Sequence, residues 1–475
     1  MAVTHGSIAE INIPTGPQRT WLDPFRDLGI SLTNWTIRYV PDTWVIALIL
    51  SIIVFVMTLA WGGVGLGGAI AAWGKGMWAL LTLMAEFSFT IMIAYVCAVA
   101  PIVARGLNWV ASRSNPDKPW QAVLVMTVFS LITAWFNWAI TIVISAALVP
   151  YLAKHNPKAD YRMLVAAAYV GVATMWHSGI SASGALIVAT PDNFLFKAGI
   201  LNELITVDRT IFTNINFLMI AVAAAVVILV MVLLTPRPDK AETLSRESAE
   251  EMIQVALVPR PDTMTVAQKL NWWPGWNVIC GTGCLVWMIM SFSRSGLAAW
   301  TIDMYNLAFL TLALFLTWRP VVFLSACRKG VLGAWGILLQ FPLYGGIFGL
   351  VSFTQLGHVL TNVFVSVATR ETYLPIIYWY SGFLSYFVPS GGSKWAIEAP
   401  YLIPAAKAFD ISPASITLVY GWGDMLTHLL QPFWAIALLD ITKTSFGQIA
   451  GFCALLFVIY AIVMSAMMFF VPFGL

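Results

Sequence analysis

Long apolar runs separated by short polar stretches dominate this chain. Phe217 to Leu234 holds 18 residues without a charged side chain. About 18 or more apolar residues suffice to span a hydrocarbon core roughly 30 Å thick. In lipid the backbone must satisfy its own polar groups, so each such run predicts a helix. The pattern predicts nine spanning helices, centred on residues 43–60, 77–100, 161–189, 211–235, 273–293, 302–318, 333–353, 414–439 and 446–473. The expected fold class is an all-α polytopic membrane protein.

Two further apolar stretches, 121–150 and 374–408, do not read as simple spans. The second is interrupted by Pro389, Ser390, Gly391, Gly392, Pro400 and Pro404, and Pro and paired Gly break helices. Each stretch fits a re-entrant helical hairpin that enters and leaves on one face. With hairpins crossing nothing, 18 of the 25 Lys and Arg fall on one side, six on the other, and Lys394 lies inside the second hairpin. Cytoplasmic loops carry the excess of basic residues. The expected layout follows: a cytoplasmic segment 1–42 without a cleavable signal peptide, a first transmembrane repeat 43–235, a cytoplasmic linker 236–271, and a connecting helix with a second repeat over 272–475. The N-terminus is expected in the cytoplasm and the C-terminus outside.

The repeat itself is weak but ordered. Lys75-Gly76 and Glu86-Phe87 recur as Lys329-Gly330 and Gln340-Phe341, 254 residues on. Asn137-Trp138-Ala139-Ile140 matches Lys394-Trp395-Ala396-Ile397, and Tyr169 and His177 match Tyr420 and His428. Five crossings separate Lys75 from Lys329, so the second half is expected to be inverted. Inverted repeats with interrupted segments in corresponding places mark the binding site of secondary transporters.

Composition agrees. Hydrophobic residues make up 60% and charged residues 10% of 475, against about 25% charged in soluble domains. The 22 Trp suit interfacial anchoring in membrane lipid. A net charge of +3 without a basic, aromatic-interleaved patch gives no reason to expect a nucleic-acid partner. Of the five cysteines, Cys280 and Cys284 stand one helical turn apart, but no His or second Cys pair accompanies them and packing is the expected role. No metalloprotease His-Glu-x-x-His, Ser/His/Asp grouping or phosphate-binding loop occurs, which argues against an enzyme or an ATP-driven pump. No cofactor is expected beyond H+ or Na+ as coupling ion.

Four segments carry candidate chemistry. At the second hairpin tip, Ser390, Gly391, Gly392 and Ser393 offer amides and hydroxyls of the kind that bind a carboxylate at a helix N-terminus. Lys394 follows directly. A lysine at membrane depth costs about 2.5–3.5 kcal/mol on insertion scales and needs a partner: an anionic substrate, Glu398 one turn on, or water reached by snorkelling. The first hairpin tip, Thr133 to Trp138, offers Asn137, either to substrate or to a neighbouring helix. Gly179, Ser181 and Ser183 sit in a run of small residues that fits an unwound helix, or else tight packing. Its repeat partner contains Gln431-Pro432. Asp424, His428, His177, Glu398 and Glu86 are candidates for ion coupling, because ionisable groups within spans are functional candidates. No resident metal site is expected, with Na+ at the hairpin tips as the one exception.

The segments Phe387-Val388-Pro389-Ser390-Gly391-Gly392, Ala189-Thr190-Pro191 and Gln431-Pro432-Phe433-Trp434-Ala435 resemble the bacterial short-chain fatty acid transporter family, the acetoacetate and butyrate uptake type, over roughly residues 38–473. The resemblance implies a carrier for small monocarboxylates. More distantly it suggests the ion-transporter superfamily of inverted-repeat, often dimeric carriers that work by an elevator motion, so a homodimer is expected. Five positions depart from the family pattern. Ser393 and Lys394 stand where Gly and His are common, Glu398 where Gln is, His177 where Gly is, and His428 where Asn is. The leading expectation is a symporter of short-chain carboxylates; the alternatives are a passive anion channel or uniporter and, behind these, a membrane-embedded acyltransferase.

Overall fold

The computed structural model describes residues 43–253 and 258–471, with Ser31, Trp35, Arg38, Tyr39 and Pro41 ahead of them. The segment expected at 1–42 lies almost wholly outside the described residues. Among those described, every regular element is a helix.

The first half contains α1 (Thr43–Trp61), α2 (Leu66–Met77), α3 (Leu81–Ala98), α4 (Pro101–Ala111), α5 (Pro119–Phe136), α6 (Trp138–His155), α7 (Tyr161–Thr174), α8 (Ser183–Ala189) and α9 (Asn214–Leu233). After it comes α10 (Gly275–Ser295). The second half contains α11 (Ile302–Thr317), α12 (Pro320–Gly330), α13 (Trp335–Ser352), α14 (Leu356–Val367), α15 (Arg370–Phe387), α16 (Gly391–Ala408), α17 (Pro413–Met425), α18 (Ile436–Thr442) and α19 (Phe446–Phe470).

The two halves correspond element by element, and their packing is reciprocal. α2 packs on α13 as α12 packs on α3; α1 packs on α13 as α11 packs on α3. Within the halves, α4 lies on α6 as α14 lies on α16, and α5 on α7 as α15 on α17. Such exchange of partners is what a two-fold relation between halves produces. An odd number of crossings separates α1 from α11 whether the α5–α6 hairpin crosses twice or not at all, so the inversion does not depend on that choice. Nine helices among the described residues are long and apolar enough to cross a membrane, α5 and α6 among them.

The hairpins are longer than their breakers suggest. Each of the four arms is an 18-residue helix, about 27 Å at 1.5 Å per residue. Pro150, Pro375, Pro400 and Pro404 all sit inside helices. A proline removes one N–H but leaves the helix standing where packing holds it, and α16 is buried on nearly every side. The second hairpin therefore breaks only at Val388–Ser390, and Pro400 and Pro404 do not interrupt it. The amphipathic helices α4 and α14 were hidden in sequence by their short length and mixed composition.

The span expected at 161–189 is broken. α7 ends at Thr174, a 3-10 turn covers Trp176–Ser178, and α8 begins at Ser183. Its counterpart runs α17, a 3-10 turn at His428–Leu430, a second at Phe433–Ala435, then α18. The two parts are bent by 76°. The interior lies where α6, α7, α8, α16 and α17 meet, while α1 and α10 stay largely exposed to their surroundings.

Candidate functional site

The two hairpin tips and the two broken helices converge on one region. At the first tip Asn137 leaves the helix with extended backbone, and its Oδ1 accepts the amides of Ala139 and Ile140 at 2.9 and 3.0 Å. It caps α6 in the usual manner of Asn. Its Nδ2 is buried and has no hydrogen-bond partner. The second tip differs: Ser390 is extended but makes no side-chain cap. Instead Ser393 Oγ donates to Ser390 Oγ at 2.6 Å. The N-terminus of α16 is thus not closed by its own cap, and four amides of a helix start need partners.

That tip is pressed against the other half. A Cβ on Gly391 would stand 2.5 Å from the Trp176 ring, and one on Gly392 would stand 2.1 Å from Phe87. Only glycine allows the approach. Ser390, Asn137's structural equivalent as the start of a second arm, replaces the match of Asn137 to Lys394 read from sequence. Lys394 lies one turn deeper, inside α16.

There Lys394 is wholly buried. Its Nζ donates to Ser381 Oγ at 2.6 Å, Ser381 O at 3.1 Å and Glu398 Oε1 at 3.2 Å. Asp424 Oδ1 stands 3.2 Å away, and the Tyr420 ring lies 4.2 Å below. Its contacts are internal ones, and with no exposure it does not snorkel. Glu398 also accepts from Ser381 Oγ at 2.9 Å.

Asp424 joins the halves. Its Oδ2 meets His177 Nδ1 of the first half at 3.0 Å, and its Oδ1 accepts from Ser385 at 3.1 Å. The Gly184 amide donates to His177 Nε2 at 3.2 Å, so the proton sits on Nδ1 and His177 is neutral. His428 Nε2 lies 3.3 Å from Ser385 Oγ and 3.9 Å from Asp424 Oδ2. The repeat-related histidines therefore approach one carboxylate. Glu86 turns away and lies beside Asp303.

Around this cluster the rings of Trp138, Trp176 and Trp434 stand 5.4–6.1 Å apart. Trp176 stacks on His177 at 4.2 Å. The indole N–H groups of Trp176 and Trp434 and Gln431 Nε2 are buried without partners. Gln431 Oε1 accepts the Phe433 amide. The unwound stretch is braced: Asn216 Nδ2 takes Ser178 O at 2.8 Å, Trp300 takes Ile180 O at 3.3 Å, and Gly179 O accepts the Ala182 amide. Ser181 Oγ accepts from the Trp138 amide, and Ser183 is buried at the start of α8. The carbonyls freed by the break are thus partly taken up internally. Among the described residues, no group of three or more His, Cys, Asp or Glu is arranged to hold a metal.

Sequence reading missed Ser381, Ser385, Trp176 and Trp434. The two serines are one turn apart on α15, a signal in retrospect for a polar seam facing α16. Trp176 offered none among 22 tryptophans, and Trp434 stood out only as part of the Gln431-Pro432-Phe433-Trp434-Ala435 segment.

Comparison with known proteins places the chain. Residues 25–471 match the family described as short chain fatty acid transporter. A provisionally named short-chain fatty acid transporter of Escherichia coli (strain K12) is 28% identical, over 90% of this chain and 96% of that protein. A likewise named protein of Haemophilus influenzae is 27% identical over 89% and 94%. Two solved structures share the fold. The YdaH transporter of Alcanivorax borkumensis superposes with a TM-score of 0.58 at 13% identity, covering 92% of this chain and 99% of that one. MtrF of Neisseria gonorrhoeae, from a class of antimetabolite efflux pumps, gives 0.58 at 12%, covering 95% and 98%.

Proposed function

We propose a function from one premise: this chain belongs to the short-chain fatty acid transporter family. It is a membrane transporter, and its cargo is a small monocarboxylate moved by secondary active symport. One observation carries this reading. The uncapped N-terminus of α16 lies against Trp176, whose ring neighbours Trp138 and Trp434, and Asn137, Trp176, Gln431 and Trp434 each hold a buried N–H without a partner. These side-chain groups present hydrogens and no negative charge. A carboxylate supplies the acceptors they lack, and the neighbouring indole faces suit a short apolar tail.

In this reading Lys394 is not the anion's ligand, because its own hydrogens are already engaged. Alternating access follows from the inverted halves, with the two hairpins and two broken helices moving as one body past α1–α3 and α11–α13, an elevator-type motion. A homodimer in a bacterial inner membrane fits the same family reading.

Uptake of labelled acetoacetate into proteoliposomes tests this. Protein-free vesicles are the control, since the neutral acid crosses lipid unaided. Saturable uptake above that control is expected. Absence of both uptake and carboxylate exchange, across several small carboxylates, would sink the proposal. Gln431→Glu places like charge beside the anion and should raise the apparent KM about tenfold, equivalent to about 1.4 kcal/mol. An unchanged KM would remove Gln431 from the site.

A further inference from the structure

The cluster around Asp424 is an ionic site that substrate binding leaves unexplained. It contains one fixed cation, Lys394, and two carboxyl groups, Glu398 and Asp424, all with no solvent exposure. His177 contributes no charge, since its Nε2 accepts the Gly184 amide. The other titratable groups facing the cluster are phenols and one thiol, none of them cationic. Tyr420 lies under Lys394, and Tyr373, Tyr380 and Tyr401 face Glu398 from α15 and α16. Tyr169 donates to the carbonyl of His428, and α19 brings Tyr460 and Cys453 to the same side. With both carboxyls ionised the cluster carries one uncompensated negative charge. A buried charge without a partner is expensive.

The surroundings of Lys394 Nζ show what does not cancel it. A main-chain carbonyl, a hydroxyl and two carboxylates surround that nitrogen within 3.2 Å. This is the all-oxygen set that hard cations take. Here a covalently tethered ammonium fills it. The place for one more positive charge is His428, whose Nε2 lies 3.9 Å from Asp424 Oδ2 and whose ring stands parallel to Trp176. A proton on His428 brings the cluster to neutrality without displacing any group.

We infer that Lys394 occupies, as a tethered cation, the cage an alkali ion would need, and that the coupling ion is one proton taken at the His428–Asp424 pair. The carrier is then proton-coupled and indifferent to sodium. This rests on the carrier function proposed above.

The experiment uses full-length protein in liposomes and three readouts, each net of protein-free vesicles. Carboxylate exchange without any gradient tests the carrier function alone. Accumulation under an inward proton gradient, and under an inward sodium gradient at equal pH, tests the coupling ion. Wild type is expected to exchange, to accumulate with the proton gradient and to ignore sodium. His428→Gln is expected to bring the proton-driven accumulation ratio down to about that of vesicles without a gradient, with exchange still detectable. Exchange with sodium-driven accumulation, or proton-driven accumulation surviving in His428→Gln, overturns the inference while leaving the carrier standing. Loss of exchange in wild type overturns both. Saturable binding of radioactive sodium to purified wild type would independently refute the filled cage, even if His428→Gln fails to fold.

Discussion

Lys394 shows how strongly one side chain constrains this site. Removing it would leave Glu398 and Asp424 sharing Ser381, Ser385 and the Tyr420 face with no cation between them. Breaking a buried ion pair costs about 3–5 kcal/mol. Lys394→Met should therefore lower the unfolding temperature of the detergent-solubilised protein markedly. Adding Glu398→Gln should restore part of the loss, because it removes one of the stranded charges. A double variant no more stable than the single would show that Glu398 was not the charge left unpaired. The Lys394–Glu398 pairing was legible in sequence from its i, i+4 spacing. The Asp424 contact was not, because it joins residues thirty apart through the packing of α17 on α16.

At the scale of elements, the second hairpin tip functions through contact with the first half. Gly392→Ala would drive a methyl group into Phe87, an overpacking worth about 1–3 kcal/mol. Transport should fall, and Phe87→Leu should recover part of it; a fully active Gly392→Ala would mean the tip does not dock there. On the opposite end of α7, Asp160 accepts the Met163 amide, pairs with Arg162 and accepts the Glu242 amide of the linker. Asp160→Ala should cost about 1 kcal/mol as a lost cap and leave Arg162 with Glu242 alone. Faster trypsin cleavage within 236–271 is the expected readout. The linker should be insensitive to pH in the neutral range. Lys154 holds the Glu250 carboxyl below its ordinary value of 4.5. The pair is therefore fully formed above that value and lost only as pH falls through the depressed one. Any neutral-range pH effect on transport then originates elsewhere.

For the whole molecule, the odd number of crossings between corresponding helices makes orientation a testable consequence. The excess of basic residues predicts an N-terminus in the cytoplasm and a C-terminus outside. In intact spheroplasts an N-terminal tag should resist protease and a C-terminal tag should be cleaved. Both tags on one side would cancel the inverted arrangement. The inner helices α7 and α8 and the outer α10 are similarly apolar, yet the first are almost wholly buried and α10 hardly at all. In lipid an apolar face is stable either against protein or against acyl chains, so hydropathy alone cannot distinguish them.

That difference separates what the chain declares from what folding decides. Apolar runs of bilayer length, the breakers at 389–392, the run of small residues after His177 and the two-part repeat all follow from local chemistry, and they determined the helices, the hairpins and the inverted halves. Local chemistry did not tell that α16 would run through Pro400 and Pro404, since only surrounding packing holds a helix with missing N–H groups. Nor did it tell that His177 and His428 would meet Asp424, or that Lys394 would be fully engaged inside. Those depend on which faces of the two halves are brought together, and a charge finds its partner only when the tertiary structure excludes water and leaves it no other.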